Sequence, residues 1–113
     1  MNLWIDDVRE PWRYGKLGWV WAKTFEEAQQ YLQSGKVHDV SFDHDLDPDH
    51  YPWSGIPLDQ HYDTGYDLLV WMKDNGIKVS GWITLHTMNP VGMKRMTDFL
   101  SKYGKELMDD PKA

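Results

Sequence analysis

The segment VSFDHDLDPDH, Val40 to His50, carries an aspartate at every second position, Asp43, Asp45, Asp47 and Asp49, with His44 and His50 among them. Like charges this close repel, so the segment needs water, a cation, or a task that uses carboxylates beside imidazoles. A second acid pair, Asp6 and Asp7, closes the apolar run NLWID near the start of the chain. Two chemistries use such groups. Carboxylate oxygens hold hard divalent cations, and Asp6, Asp7, Asp43 and Asp45 are candidate ligands for Mg2+ or another divalent ion. Imidazoles exchange protons near neutral pH, so His44 and His86 are candidates for a pair in which one takes a proton from water and the other gives one to a leaving oxygen. The plain alternative is that these aspartates only cap loops and helix ends.

Other site types fit less well. Asp43, Asp45 and Asp47 have the opening spacing of an EF-hand, but Pro48 stands where its glycine belongs and Ser54 where its glutamate belongs. A zinc site wants histidines at fixed spacing on one element, but His44 and His86 are on different strands, so spacing does not test it, and His38, His50 and His61 read as surface residues. Thr87 follows His86, yet no nucleophile elbow and no glycine-rich phosphate loop with lysine is visible. The chain has no cysteine, which removes thiolate nucleophiles, disulfides and thiolate metal sites.

These residues must be positioned by regular elements. Asn2–Asp6, Trp19–Thr24, Asp39–Asp43 and Gly81–His86 read as strands, three of them ending in an acid or a histidine. REPWRYGKLG has proline and glycine and no helical period, so it reads as a loop or at most one helical turn. Thr24 with Glu27 makes a capping box for a helix whose apolar face is Phe25, Ala28 and Leu32, with Gly35 as its stop. Thr64 caps a second helix with Leu68, Leu69 and Met72 inward, ended by Asn75–Gly76. Asn89–Pro90 starts a third, with Met96, Phe99, Leu100 and Tyr103 inward and Gly104 as its end, so residues 105–113 are expected to fray. Strands alternating with helices imply an α/β fold with a small open parallel sheet of about four strands, helices on both faces and a single domain over residues 1–113.

In such a sheet ligands bind beyond the carboxyl ends of the strands. Topology alone therefore gathers Asp6, Asp7, Asp43, His44, Asp45 and His86 at one edge. The helix starts open on the same edge, and helix N-termini favour anions. Thr64, Gly65, Thr87 and Asn89 are accordingly candidate phosphate-binding residues. The roughly 20-residue segment from His44 to Asp63 has no periodicity, and a loop that long is usually functional or disordered. Its Tyr51, Trp53 and Tyr62 are candidates to stack on a base.

Composition bounds the partners. The formal charge of −6 argues against long nucleic acid but leaves room for a small anionic nucleotide or an RNA end. Seven tryptophans read mainly as core and rim packing. No apolar run is long enough for a membrane span, and the N-terminal residues lack the pattern of a secretory signal, so the expected location is cytoplasmic. No organic cofactor is expected.

Taken together, LWIDD, TFEEAQQYL, VSFDHDL, TGYDLLVWM and ITLHTMNPVGMKRM resemble the receiver-like family of cyclic-phosphate processing receiver domains, over Leu3 to about Leu100. More remotely the chain is similar to bacterial response-regulator receivers, with Asp43 where the phosphoacceptor would sit. It departs from them: His86 stands near the place of their fourth-strand threonine or serine, no lysine-bearing fifth strand is evident, and the first helix is nearly absent. A phosphoryl switch is therefore not expected. The resemblance implies a truncated receiver or flavodoxin-like sheet of order 2-1-3-4. It also implies processing of cyclic phosphates on nucleotides or RNA ends, a phosphodiesterase-like hydrolase activity. The residues it marks are Asp6, Asp7, Asp43, His44, Asp45, His86 and Asn89. The competing expectation is a catalytically inactive receiver-like module that docks on another protein, its acids splayed or paired with lysine and arginine.

Overall fold

The computed structural model describes residues 1–44 and 64–109. Four short strands, β1 (Leu3–Ile5), β2 (Val20–Ala22), β3 (Val40–Phe42) and β4 (Ile83–Leu85), form one parallel sheet of order β2-β1-β3-β4, as expected. Leu3 lies opposite both Val20 and Val40, and Val40 lies opposite Ile83. Each strand is shorter than its apolar run suggests. The acids at 6 and 43 and the histidine at 86 therefore sit one residue beyond the ladder, where backbone can turn away and side chains can converge.

Side-chain alternation splits the sheet into two unlike faces. Leu3, Ile5, Ala22, Val40, Phe42 and Ile83 build one core with Ala28 and Leu32 of α1 (Phe25–Gln33), Leu68, Leu69 and Met72 of α2 (Gly65–Asp74), and Met96 and Leu107 of α3 (Pro90–Leu107). Burying a side chain such as Phe42 or Leu69 contributes about 1.5–3 kcal/mol. The other face carries Trp4, Ser41 and Thr84, which are register partners. Among the described residues it is covered by the 3-10 turn Pro11–Tyr14, whose Tyr14 ring stacks 5.5 Å from Trp4 and whose Trp12 meets Trp21 edge-on at 5.6 Å. Helical structure thus lies on both faces, but all three α-helices share one of them.

The helix starts follow their caps. Thr24 Oγ1 accepts the Glu27 N–H at 3.1 Å, and Thr64 with Asp67 forms a complete capping box. Gly76, at φ 65°, turns the chain out of α2 in the left-handed region that other residues avoid. One boundary differs from the sequence expectation. Gly104 does not end α3, which continues to Leu107. Gly104 has no positive φ, so it does not unwind the helix. Leu107 is buried in the core, and Val79 gives its N–H to the Leu107 carbonyl at 2.9 Å while accepting the Asp109 N–H at 2.8 Å. Residues 105–109, expected to fray, are seated by these contacts.

Two glycines let helices close on the end of β3. A Cβ on Gly65 would collide with the Asp43 carbonyl oxygen, and one on Gly92 would collide with the His44 ring. Helix propensity favours alanine over glycine by about 1 kcal/mol. At Gly65 the obstacle is backbone, which cannot swing aside, so overpacking dominates. Gly65→Ala is expected to destabilise the protein by about 1–3 kcal/mol, read as a lower urea midpoint at unchanged m-value.

Candidate functional site

The site is built where β1, β3 and β4 end. Asp6 follows β1 and is fully buried. Its Oδ1 accepts the backbone N–H groups of Val8 at 2.9 Å and Arg9 at 2.8 Å. Its Oδ2 accepts from Arg9 Nε at 3.0 Å and pairs with His86 Nε2 at 3.0 Å. Asp43, after β3, is also buried, and its Oδ1 accepts from Arg9 Nη2 at 3.3 Å and from the His44 N–H at 2.9 Å. Arg9 therefore bridges the two carboxylates. Asp6, Asp7 and Asp43 each offer an oxygen within 4.8 Å of the others.

Arg9 is fixed through its backbone as well as its side chain. Its carbonyl accepts from Trp4 Nε1 at 2.8 Å, and Trp21 Nε1 donates to the Asp6 carbonyl at 2.7 Å. Burial opposes the Arg9 charge, but Asp6, Asp43 and, after them, Tyr14 hold its pKa up. Arg9 was not among the residues expected from sequence. The signal available was its place two positions after the acid pair, in a stretch without periodicity.

His86 follows β4. Its ring stacks on Trp4 with centroids 3.7 Å apart and planes 5° from parallel, and its Nδ1 lies 2.7 Å from Ser41 Oγ. An ionised Asp6 only accepts hydrogen bonds, so Nε2 carries the proton and, in the neutral ring, Nδ1 accepts from the Ser41 hydroxyl. Ser41–His86–Asp6 is thus a hydrogen-bonded chain whose serine is buried inside the sheet. His44 is placed differently: its ring packs under the first turn of α3 at Gly92, and its carbonyl accepts the Gly65 N–H at 2.8 Å.

The residues expected to hold phosphate make hydrogen bonds inside the protein. Thr64 is tied to Asp67, and Gly65 donates to His44. Asn89 Oδ1 accepts from Val91 and Gly92, both at 3.1 Å. Thr87 accepts the Asn89 N–H at 3.1 Å and hydrogen-bonds Asp43. Asp45, Tyr51, Trp53 and Tyr62 lie outside the described residues.

The two buried aspartates have pKa values shifted in opposite directions. For Asp6, burial raises the pKa, but the His86 bond, the N–H groups of Arg9 and Val8 and the Arg9 charge together bring it below the ordinary value. For Asp43, burial and then repulsion from Asp6 raise the pKa, against weaker opposition from Arg9, the His44 N–H and Thr87. Three carboxylates suit a hard divalent cation in kind. Their fit is poorer in detail, because a carboxylate has about four lone-pair sites and Asp6 already uses them on four donors.

A parallel sheet of order 2-1-3-4, with an acid pair after its first strand and an aspartate after its third, defines a truncated receiver-like α/β domain. The chain belongs to the cyclic-phosphate processing receiver domain family, whose model matches residues 1–102. No curated protein and no solved structure matches it.

The opposite shifts give opposite pH dependences. The Asp6 pKa is lowered on folding, so its contribution to stability is present above the unfolded-state value and lost as pH falls through the folded one. The Asp43 pKa is raised, so its contribution is present at low pH and lost as pH rises through the folded value. Asp43→Asn should therefore gain stability relative to wild type as pH rises from 3 to 7, and Asp6→Asn should lose it. Urea titrations across that range check both signs.

Proposed function

We propose that this cluster hydrolyses a cyclic phosphate ester carried by a nucleotide or an RNA end. The observation that carries the reading is the pair of buried carboxylates on neighbouring strands whose pKa values are pushed apart, with a guanidinium bound to both. Environments that separate two like groups in this way are how acid–base roles are divided. Membership of a family described by cyclic-phosphate processing supports the substrate class.

Asp43 is the proton carrier in this reading. A carboxylate of raised pKa is the better base, so ionised Asp43 takes a proton from the attacking water. The water oxygen bonds to phosphorus, the ring P–O bond breaks, and the Asp43 carboxyl returns the proton to the leaving ribose oxygen. Arg9 neutralises charge on the phosphoryl oxygens. Asp6 stays ionised and holds Arg9 in place. His86, with both ring nitrogens engaged, acts through Asp6 as a positioning residue. The cytoplasm is the proposed setting of this chemistry, in keeping with a chain that lacks cysteine.

One observation favours a second reading. Asp6 and Asp43 are paired with an arginine, as in a binding module without chemistry. Against it, both carboxylates are buried, which suits a pocket better than a docking surface.

The test is turnover of 2′,3′-cyclic and 3′,5′-cyclic nucleotides and of a short RNA with a cyclic-phosphate end, read by phosphorus NMR. Asp43→Asn should lower the rate by about 10²-fold or more, and His86→Gln should lower it less. Full activity in Asp43→Asn would sink the mechanism, and no turnover of any substrate by wild type would favour the binding module.

A further inference from the structure

We infer that Arg9 is the resident cation of the acidic cluster, filling with a side chain the role that a divalent metal would take. The inference concerns the charge balance of the folded protein and does not rest on the hydrolytic reading. Three features carry it. First, Arg9 donates to both buried carboxylates, from Nε to Asp6 and from Nη2 to Asp43. Second, the fork is pre-positioned: its backbone N–H is held by Asp6 Oδ1 and its carbonyl by the Trp4 indole. Such a residue loses little freedom when its guanidinium binds, unlike a solvated surface arginine. Third, the lone pairs of Asp6, the most buried member of the cluster, are already used. Asp6 accepts four hydrogen bonds, two on each oxygen, and Asp43 Oδ1 accepts two.

A divalent ion entering between Asp6 and Asp43 must displace donors from Asp6 and approach a fixed positive charge. Both costs rise in a buried site, where charges are weakly screened. A guanidinium stays protonated at any physiological pH, so this cation is neither titrated nor removed by chelators. The cluster therefore keeps constant compensation whatever the metal supply. With Arg9 removed, Asp6 and Asp43 would each regain a lone pair beside Asp7, and the excess negative charge would make the cluster the donor set of a hard-cation site.

The experiment is titration with Mn2+ alone, followed by electron paramagnetic resonance of the free ion. It compares wild type, Asp43→Asn, Arg9→Met and the double variant Arg9→Met/Asp43→Asn, with circular dichroism to confirm folding. Wild type should bind Mn2+ no better than Asp43→Asn. Arg9→Met should bind one ion roughly tenfold tighter or more, and the second substitution should abolish that gain. Affinity in wild type equal to that of Arg9→Met, or lost on Asp43→Asn alone, would overturn the inference. If Arg9→Met does not fold, the comparison of wild type with Asp43→Asn still decides it.

Discussion

A guanidinium held between carboxylates on two adjacent parallel strands is the interaction on which the rest of this site depends. Parallel topology places the carboxyl ends of β1 and β3 side by side, so Asp6 and Asp43 converge whether or not their charges favour it. Two carboxylates about 4 Å apart near a protein surface repel by about 4 kcal/mol. That is a large share of the marginal stability of a small domain. Arg9 offsets it from within the chain. The connection from β1 to β2 is correspondingly specialised. Pro11, Gly15 and Gly18 prevent a full helix there, and Gly15 and Gly18 take left-handed φ values of 77° and 78°. The indoles of Trp4 and Trp21 then fold the start of that connection back over the strand end. A crossover helix would carry Arg9 away from the site. The reduced connection brings it in.

The asymmetry between the two aspartates follows from how many donors each receives. Asp6 lies where the chain bends after β1, so two backbone N–H groups point at one oxygen while Arg9 and His86 take the other. Asp43 continues β3 and meets fewer donors, with the ionised Asp6 beside it. Identical side chains thus receive different protonation behaviour from local backbone geometry. His86 belongs to the same arrangement. Trp4 fixes its plane and Ser41 its outer nitrogen, which leaves Nε2–H to stabilise the Asp6 charge. Trp4, Ser41 and His86 lie on the sheet face opposite the main core.

Much of the scaffold was legible because it rests on local signals. The switch from apolar run to acid or histidine marked the ends of β1, β3 and β4. Thr24, Thr64 and Asn89 marked the helix starts, and each side chain accepts from the first turn. What was not legible depends on long-range packing. Gly104 looks like a helix stop in isolation, yet burial of Leu107 and pairing with Val79 carry the helix past it. Arg9 carries no periodic signal, because its role is set by the carboxylate of a residue 34 positions away. Ser41 looks like a polar interruption of a strand, and only the register of β3 with β4 brings it to His86. The two histidines were indistinguishable by type. Their separation, one on Trp4 and Asp6, the other under Gly92, comes from which face each strand end presents.

The glycines also decide from which side a ligand can approach among the described residues. At Gly65 and Gly92 the helices α2 and α3 pack so closely on Asp43 and His44 that a single methyl would collide. Their first N–H groups are drawn into caps and into the His44 carbonyl, so the usual anion-binding donors of a helix start are spent on the protein itself. On the opposite side, Asp7 is half-buried, Arg9 retains 24% exposure and the His86 side chain 15%, while Asp6 has none. The cluster therefore meets solvent through Arg9, His86 and Asp7, with the carboxylates of Asp6 and Asp43 behind them. An anionic ligand approaching from that side would meet the Arg9 guanidinium beside Asp7 before it reached Asp6 or Asp43. In the proposed reading, that exposed guanidinium is what would draw a phosphate to a cluster of aspartates in an acidic chain.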